Sequence, residues 1–315
     1  MNSRTIVAVI PAYNAGKFLK ASVESLLAQT RHPDRIILID DASTDTSISD
    51  IRSYEQEGLI EIVTNSRNLG KSESLNRVFD EVDADYFLIQ DADDISFPER
   101  VERQLMFMES NPKIGCSSSF IEYIGSESNK IGKGQLDLLT ENKLAEYLKS
   151  DEPFGLFCPA VILRAEVVKN PDLQFRGQFW PADDIDLWNR IAEAGWQVLA
   201  QPEVLVQYRI HYTSAVTRSF SRSRLQFEWV RASLRARRNG FEEPLLNEFL
   251  SAWNSVSFLA KMNRARKSNA KGLYRGGGFK ICNGRRVSGI LDLLTAFLLQ
   301  PEYVGPRLIT QLKSK

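Results

Sequence analysis

With 315 residues and 43% apolar side chains, the chain can bury a real core and fill one large domain plus an appendage, which excludes a disordered chain. Forty basic and forty acidic residues cancel. The balance hides an asymmetry: no acid lies between Phe249 and Leu291, where Lys261, Arg264, Arg266, Lys267, Lys271, Arg275, Lys280, Arg285 and Arg286 accumulate behind a more acidic body.

Cys116, Cys158 and Cys282 are far apart and odd in number, so neither a disulfide framework nor a zinc knuckle is expected. The first residues lack the basic start and long apolar stretch of a signal peptide. Together these features predict a reducing, cytoplasmic setting. The apolar segment 290–299 contains Asp292 and is about half the length of a membrane span, so no transmembrane helix is expected.

Along the chain, 5–10, 35–39, 59–63 and 86–89 are short β-branched or aromatic runs, apolar throughout as buried parallel strands are. Between them, 17–29 places Phe18, Leu19, Val23, Leu26 and Leu27 at helical spacing, and 71–82 does so with Leu75, Val78 and Phe79. The alternation predicts an α/β fold with a mostly parallel, doubly wound sheet. Further strands are expected over 114–121 and 159–163, a helix over 184–194, and strands at 196–199 and 204–210 completing a mixed sheet. From Ser221 onward the pattern turns helical, and Gly276-Gly277-Gly278 reads as a flexible joint. The expected organisation is a catalytic domain over 1–215, with a nucleotide-binding half to about 95 and an acceptor half from about 96, followed by a helical basic extension over 216–315.

In doubly wound sheets ligands sit beyond the carboxyl ends of the strands. Polar clusters stand at each such end: Pro11-Ala12-Tyr13-Asn14, Asp40-Asp41, 65–68 and 91–94. Asp91 and Asp93, one residue apart after a strand, are spaced to converge on one hard cation, Mn²⁺ or Mg²⁺, of the kind that bridges to substrate phosphates. The plainer alternative is that these acids cap a helix starting near Phe97, although Ser96 already offers a local cap. Asp41 is placed to accept from a base or ribose, with capping by Ser43 or Thr44 as the alternative. Asn68-Leu69-Gly70-Lys71 brings a permissive glycine next to a cation, or is an ordinary turn before a helix.

Taken in order, Val9-Ile10-Pro11-Ala12-Tyr13-Asn14, Asp40-Asp41-Ala42-Ser43-Thr44-Asp45, Asn68-Leu69-Gly70 with Asn76, and Asp91-Ala92-Asp93-Asp94 resemble the motifs of the inverting family 2 glycosyltransferases, which have a GT-A fold; the resemblance spans roughly 5–215. It implies that Pro11, Tyr13 and Asp41 line a nucleoside pocket flanked by Asn14, Asn68, Gly70 and Ala92, with Lys71 near the base or phosphate. It implies also that Asp91 is shared between ribose and metal and that Asp93 is the principal metal ligand. Asp183-Asp184-Ile185-Asp186-Leu187-Trp188 is similar to the family's acidic pair before a helix, which supplies the catalytic base; Asp184 is assigned as base and Asp183 as its neighbour, in an order the sequence leaves open. Tyr208-Arg209-Ile210-His211 is similar to a segment whose histidine closes over the diphosphate, making His211 a further metal ligand, assisted by Ser214. Trp180 and Pro181 offer a platform for a sugar face, or are core.

The expected partners are a nucleotide-sugar donor, a UDP-sugar first, and a saccharide or lipid-linked saccharide acceptor of surface polysaccharide synthesis. The rivals are a sugar-nucleotide nucleotidyltransferase, disfavoured because Pro11 to Gly16 is not a glycine-rich phosphate loop, and a non-catalytic nucleotide-binding module. The basic stretch 261–286 with apolar 287–299 reads either as a solvated helical face or as a peripheral contact with an anionic membrane at the inner face of the cell; no nucleic-acid-reading module accompanies the charge.

Overall fold

The computed structural model describes residues 4–211, 220–282 and 284–313. Contacts divide it into two units: 1–209 with 226–242, and 210–225 with 243–315.

The first unit is built on a nine-stranded sheet. Strands β1 (Ile6–Ala12), β2 (Arg35–Asp40), β3 (Glu61–Thr64) and β4 (Tyr86–Ile89) pair in parallel in the order β3-β2-β1-β4. These are the four apolar runs of the sequence, with shifts of a residue or two at their ends. Because successive side chains point to opposite faces, β1 feeds two cores. Val7 and Val9 pack with Leu75, Val78 and Phe79 of helix α3 (Lys71–Glu81), whereas Ile6, Ala8 and Ile10 pack with Leu19, Val23 and Leu26 of α1 (Leu19–Leu27). Burial on both faces is why no polar residue interrupts the strand until Pro11 has passed.

Beyond β4 the sheet becomes mixed. Strand β8 (Val161–Arg164) lies antiparallel between β4 and β6 (Ile114–Ile124), and β9 (Gln197–Arg209) runs parallel to β6. The two expected runs at 196–199 and 204–210 are one strand, carried past Pro202 by register shifts against β6; such irregularities accommodate a proline that cannot donate to the ladder. The two-residue strand β5 (Ile95–Ser96) pairs antiparallel with β9, Ile95 opposite Gln207 and Ser96 opposite Val206. That pairing fixes the loop after β4 against the end of β9. The next helix, Arg100–Ser110, starts at Arg100, and the Ser96 hydroxyl donates to Gln90 instead of capping it.

In the second unit, the long helix Phe258–Cys282 and the helix Arg286–Leu299 form an antiparallel hairpin: Arg266 donates to the Leu299 carbonyl at one end, and Gly277 meets Gly289 at the other. The expected flexible joint at Gly276-Gly277-Gly278 is therefore inside a helix. The glycines serve close approach, since a Cβ on Gly277 would lie 2.8 Å from the Gly289 carbonyl oxygen and one on Gly289 2.6 Å from that of Gly277. No helix is long and apolar enough to cross a membrane among the described residues.

Replacing Gly289 by valine should force the two helices apart and cost about 1–3 kcal/mol of overpacking. Limited proteolysis should then cut the hairpin faster while leaving the 4–209 sheet intact; unchanged protection would remove the close-packing role.

Candidate active site

The four strand-end clusters converge, each for a local reason. After β1, Asn14 adopts a left-handed backbone (φ 50°), and its side-chain oxygen accepts from the amides of Thr44 at 2.8 Å and Asp45 at 3.2 Å. This ties the loop after β1 to the loop after β2. Asp40 closes its own turn, accepting from the Ser43 amide at 2.8 Å. Asp41, buried, accepts from Leu69 N at 2.7 Å, Gly70 N at 2.8 Å and Asn65 Nδ2 at 2.8 Å. Its carboxylate thus holds the loop ahead of α3 in shape. Gly70 sits at φ 86°, a conformation side chains resist, with open space where a Cβ would go, so the glycine serves the backbone angle. Tyr13 is 52% exposed at the rim, and Asn68 is exposed as well.

From this braced loop, α3 projects Lys71 and Ser72 in opposite roles. The Lys71 ammonium donates to Asp91, and the Ser72 hydroxyl donates to Asp183. Burial alone would lower the lysine's pKa, but the Asp91 carboxylate, with help from Asp183, lifts it well above its ordinary value, so it stays charged. One helical turn therefore touches both acidic groups that the sequence set aside for chemistry.

The acidic run after β4 forms a cluster: Asp91, Asp93 and Asp94 each bring a ligand atom to within 4.8 Å of the others. Asp94 is almost wholly buried; one carboxylate oxygen accepts from Arg209 N at 2.7 Å and the other, Oδ2, is buried without a hydrogen-bond partner among the described residues. Burial, then the charges of Asp93 and Asp91, push its pKa well above the carboxylate range. Three crowded carboxylates with an orphaned buried oxygen suit a hard divalent cation, which prefers oxygen ligands and leaves room for substrate phosphate. The residues fit the group.

Arg209, at the end of β9, completes the loop: its side chain donates from Nε to the Asp93 carbonyl at 2.8 Å and from Nη1 to Gly125 O and Ser128 Oγ, both at 3.0 Å. The sequence singled out this segment only for His211. His211 belongs to the second unit, and Ser214 lies outside the described residues. Behind the loop, the fully buried Arg100 donates to the Ile89 carbonyl at 2.8 Å and to Ser96, and its pKa falls to about 9 through burial.

Asp183 and Asp184 open helix α7 (Asp183–Glu193), where the dipole favours negative charge. Asp183 is buried and anchored by Ser72, whereas Asp184 is partly exposed and accepts the Ile185 amide at 2.7 Å. Burial, then the Asp183 charge, raises the Asp184 pKa to about 7. The next acid, Asp186, is fully buried between Arg176 at 2.5 Å and Arg190 at 2.9 Å, with Arg237 at 3.7 Å. Arg237 comes from the helix Phe220–Arg238, whose residues from Gln226 belong to the first unit. Asn76 clasps the Phe175 backbone, donating to its carbonyl at 2.8 Å and accepting from its amide at 3.0 Å, so α3 also positions the approach to the acidic pair. Trp180 and Pro181 are both partly exposed just before it.

A family model for glycosyl transferase family 2 matches residues 7–169. The chain belongs to this family. An uncharacterised glycosyltransferase of Haemophilus influenzae is 30% identical over 219 residues, 67% of each chain. The amylovoran biosynthesis glycosyltransferase AmsE of Erwinia amylovora is 29% identical, over 64% of this chain and 74% of its own. Two solved structures share the fold. The mannosyltransferase PcManGT of Pyrobaculum calidifontis, with GDP-Man and Mn²⁺, matches at a TM-score of 0.56 and 16% identity, over 95% of this chain and 88% of its own. TarS of S. aureus, with UDP-GlcNAc, matches at 0.55 and 14%, over 95% and 93%. The sheet and helices described above are therefore those of a GT-A glycosyltransferase.

Two outcomes follow from the geometry of this glycosyltransferase. Asp41→Ala strips the acceptor from two backbone amides and Asn65, and should cost about 2–3 kcal/mol in denaturant unfolding; a loss below 0.5 kcal/mol, roughly the scale of a surface change, would show that the loop holds itself. For Asp184 the folded state keeps a proton that the unfolded chain releases, so stability present at acid pH is lost as pH rises through about 7. Asp184→Asn should accordingly melt about 2–4 °C above the wild type at pH 8, an advantage vanishing by about pH 4. Parallel melting curves across that window would contradict the raised pKa.

Proposed function

We propose that this family 2 glycosyltransferase performs a metal-dependent, inverting transfer from a nucleotide-diphosphate sugar. The observation that carries the reading is the placement of two acidic groups, Asp91/Asp93/Asp94 and Asp183/Asp184, around the single ammonium of Lys71. In this reading Pro11, Tyr13 and Asp41 form the nucleoside wall, with Asn14, Asn68, Gly70 and Ala92 completing the donor surface. Tyr13, exposed at the rim, is free to lie against the base.

Asp93 and Asp91 would hold Mn²⁺ or Mg²⁺, and the cation would supply Lewis-acid neutralisation of the leaving diphosphate. Lys71 orients Asp91 through the hydrogen bond it donates. Asp184 takes the proton from the acceptor hydroxyl as its oxygen attacks the anomeric carbon; Asp183, fastened by Ser72, keeps the pair in register. A hydroxyl is a poor nucleophile until its proton is removed, and a single base in line with a single leaving group inverts the centre. Asp184 suits that task because a base with a pKa of about 7 is about half ionised at neutral pH and still binds a proton well. Transfer should rise as pH passes through about 7.

A UDP-sugar is the proposed donor, and the acceptor a hydroxyl of a saccharide or lipid-linked saccharide in surface polysaccharide synthesis. The relative AmsE, named for amylovoran biosynthesis, supports the acceptor class. Asp184→Asn should keep donor affinity and lose a factor of roughly 10²–10⁴ in transfer; turnover at the wild-type rate would take the base role from Asp184. In a screen of UDP-, GDP- and dTDP-sugars with Mn²⁺, nucleoside diphosphate release should select one base. Calorimetry of that donor should show tighter binding with Mn²⁺, and no such gain in Asp93→Ala; equal affinity throughout would remove the metal role.

A further inference from the structure

The helix Arg286–Leu299 carries apolar residues both toward its hairpin partner and away from it. Gly289, Leu293 and Ala296 face the hairpin partner or lie buried, while Val287, Ile290, Leu291, Leu294 and Leu298 stand 51–80% exposed. These five recur at intervals of three and four, so they form one continuous stripe along the helix. Phe258, Leu259 and Met262, at the start of the partner helix, are 55–77% exposed as well. Singly exposed apolar residues are ordinary; a contiguous stripe marks a docking face.

Charge decides what covers it. Lys261, Lys267, Arg275 and Arg286 on the same two helices are exposed and carry no carboxylate partner among the described residues. Arg224, Lys261 and Arg264 line a recess of about 340 Å³ beside Trp253, with the Arg264 guanidinium 3.4 Å over the indole. The sequence from Phe249 to Leu291 contains no acid at all. A second copy would set basic surface against basic surface. An anionic lipid surface satisfies both features, accepting the leucines among its acyl chains and the cations among its head groups. The helix is 14 residues long and contains Asp292, which Lys280 pairs at 2.7 Å on the hairpin side; it is suited to lie in the plane of an interface and is too short to cross one.

We propose that the exposed stripe of the Arg286–Leu299 helix, with the basic residues of the Phe258–Cys282 helix, is a peripheral docking face for anionic phospholipid membranes. The inference is independent of the donor chemistry and survives or fails apart from it. The test is co-sedimentation of the full chain with vesicles of phosphatidylcholine alone and with phosphatidylglycerol added at about one third. The chain should pellet at least tenfold more with the anionic vesicles, and 0.5 M NaCl should weaken this, because salt screens exposed charge. The double substitution Leu291→Glu and Leu294→Glu, at positions already exposed, should abolish pelleting while leaving the melting temperature and far-ultraviolet spectrum unchanged. Lys261→Ala with Lys267→Ala should reduce it severalfold. Equal binding to both vesicle types, or binding to neither, would overturn the proposal. So would a concentration-dependent dimer that Leu291→Glu with Leu294→Glu dissociates, since that would give the stripe to a second copy.

Discussion

The catalytic half depends on the first turn of α3. Its Lys71 and Ser72, adjacent in sequence, bind Asp91 and Asp183, which are 92 positions apart and arrive on different elements. Carboxylates gathered this closely repel, and the burial of Asp94, Asp183 and Asp184 raises all three pKa values. The partly buried Lys71 ammonium between the groups offsets part of that cost, and it can do so only if the turn carrying it is held rigidly. Asp41 provides the rigidity by accepting the amides of Leu69 and Gly70, while Asn76 ties the far side to Phe175. These polar contacts thus serve the geometry of the acidic groups.

This arrangement explains why so many charged groups are buried without direct access to substrate. Arg100, Arg209 and the Asp186 cluster each immobilise a segment that bears a chemical group. Arg100 holds the end of β4, Arg209 grips the acidic loop by its backbone, and Asp186 is locked by Arg176 and Arg190 two residues after Asp184. Replacing such networks by apolar packing often costs little stability. Their value here lies in fixing the carboxylates relative to one another, which packing alone does with less angular precision.

What the sequence revealed follows from which interactions are local. The apolar runs of β1, β2 and β4 are unmistakable because strands buried on two faces have no polar alternation to confuse them, and the strand-end motifs stand where the chain leaves the sheet. The partners of those motifs are non-local and were not legible. Nothing in the sequence around Ser72 announces Asp183, and nothing around Arg209 announces the carbonyl of Asp93. An acid at a strand end, as Asp41 is, points to a ligand, and nothing nearby in sequence shows that its oxygens also accept backbone amides of a loop nearly thirty residues on. The glycine run at 276–278 misled for a related reason. Glycine permits flexibility and also permits close approach, and only the neighbouring helix, with Gly289 opposite, selects between them.

The same ambiguity governs helical stripes. Leu75, Val78 and Phe79 of α3 and Leu187 and Ile191 of α7 repeat at the spacing found in Leu291, Leu294 and Leu298, yet the first two sets are buried under a sheet and the third is not. Periodicity states that a face exists and leaves its cover open. For α3 and α7 the cover is the chain's own sheet, formed from strands that are apolar on both sides and need a helix on each. For the Arg286–Leu299 helix the partner helix covers one face, through glycines that leave no room for more, and the other stands exposed. The absence of any acid from 249 to 291 makes a surface of opposite charge the cover that fits it.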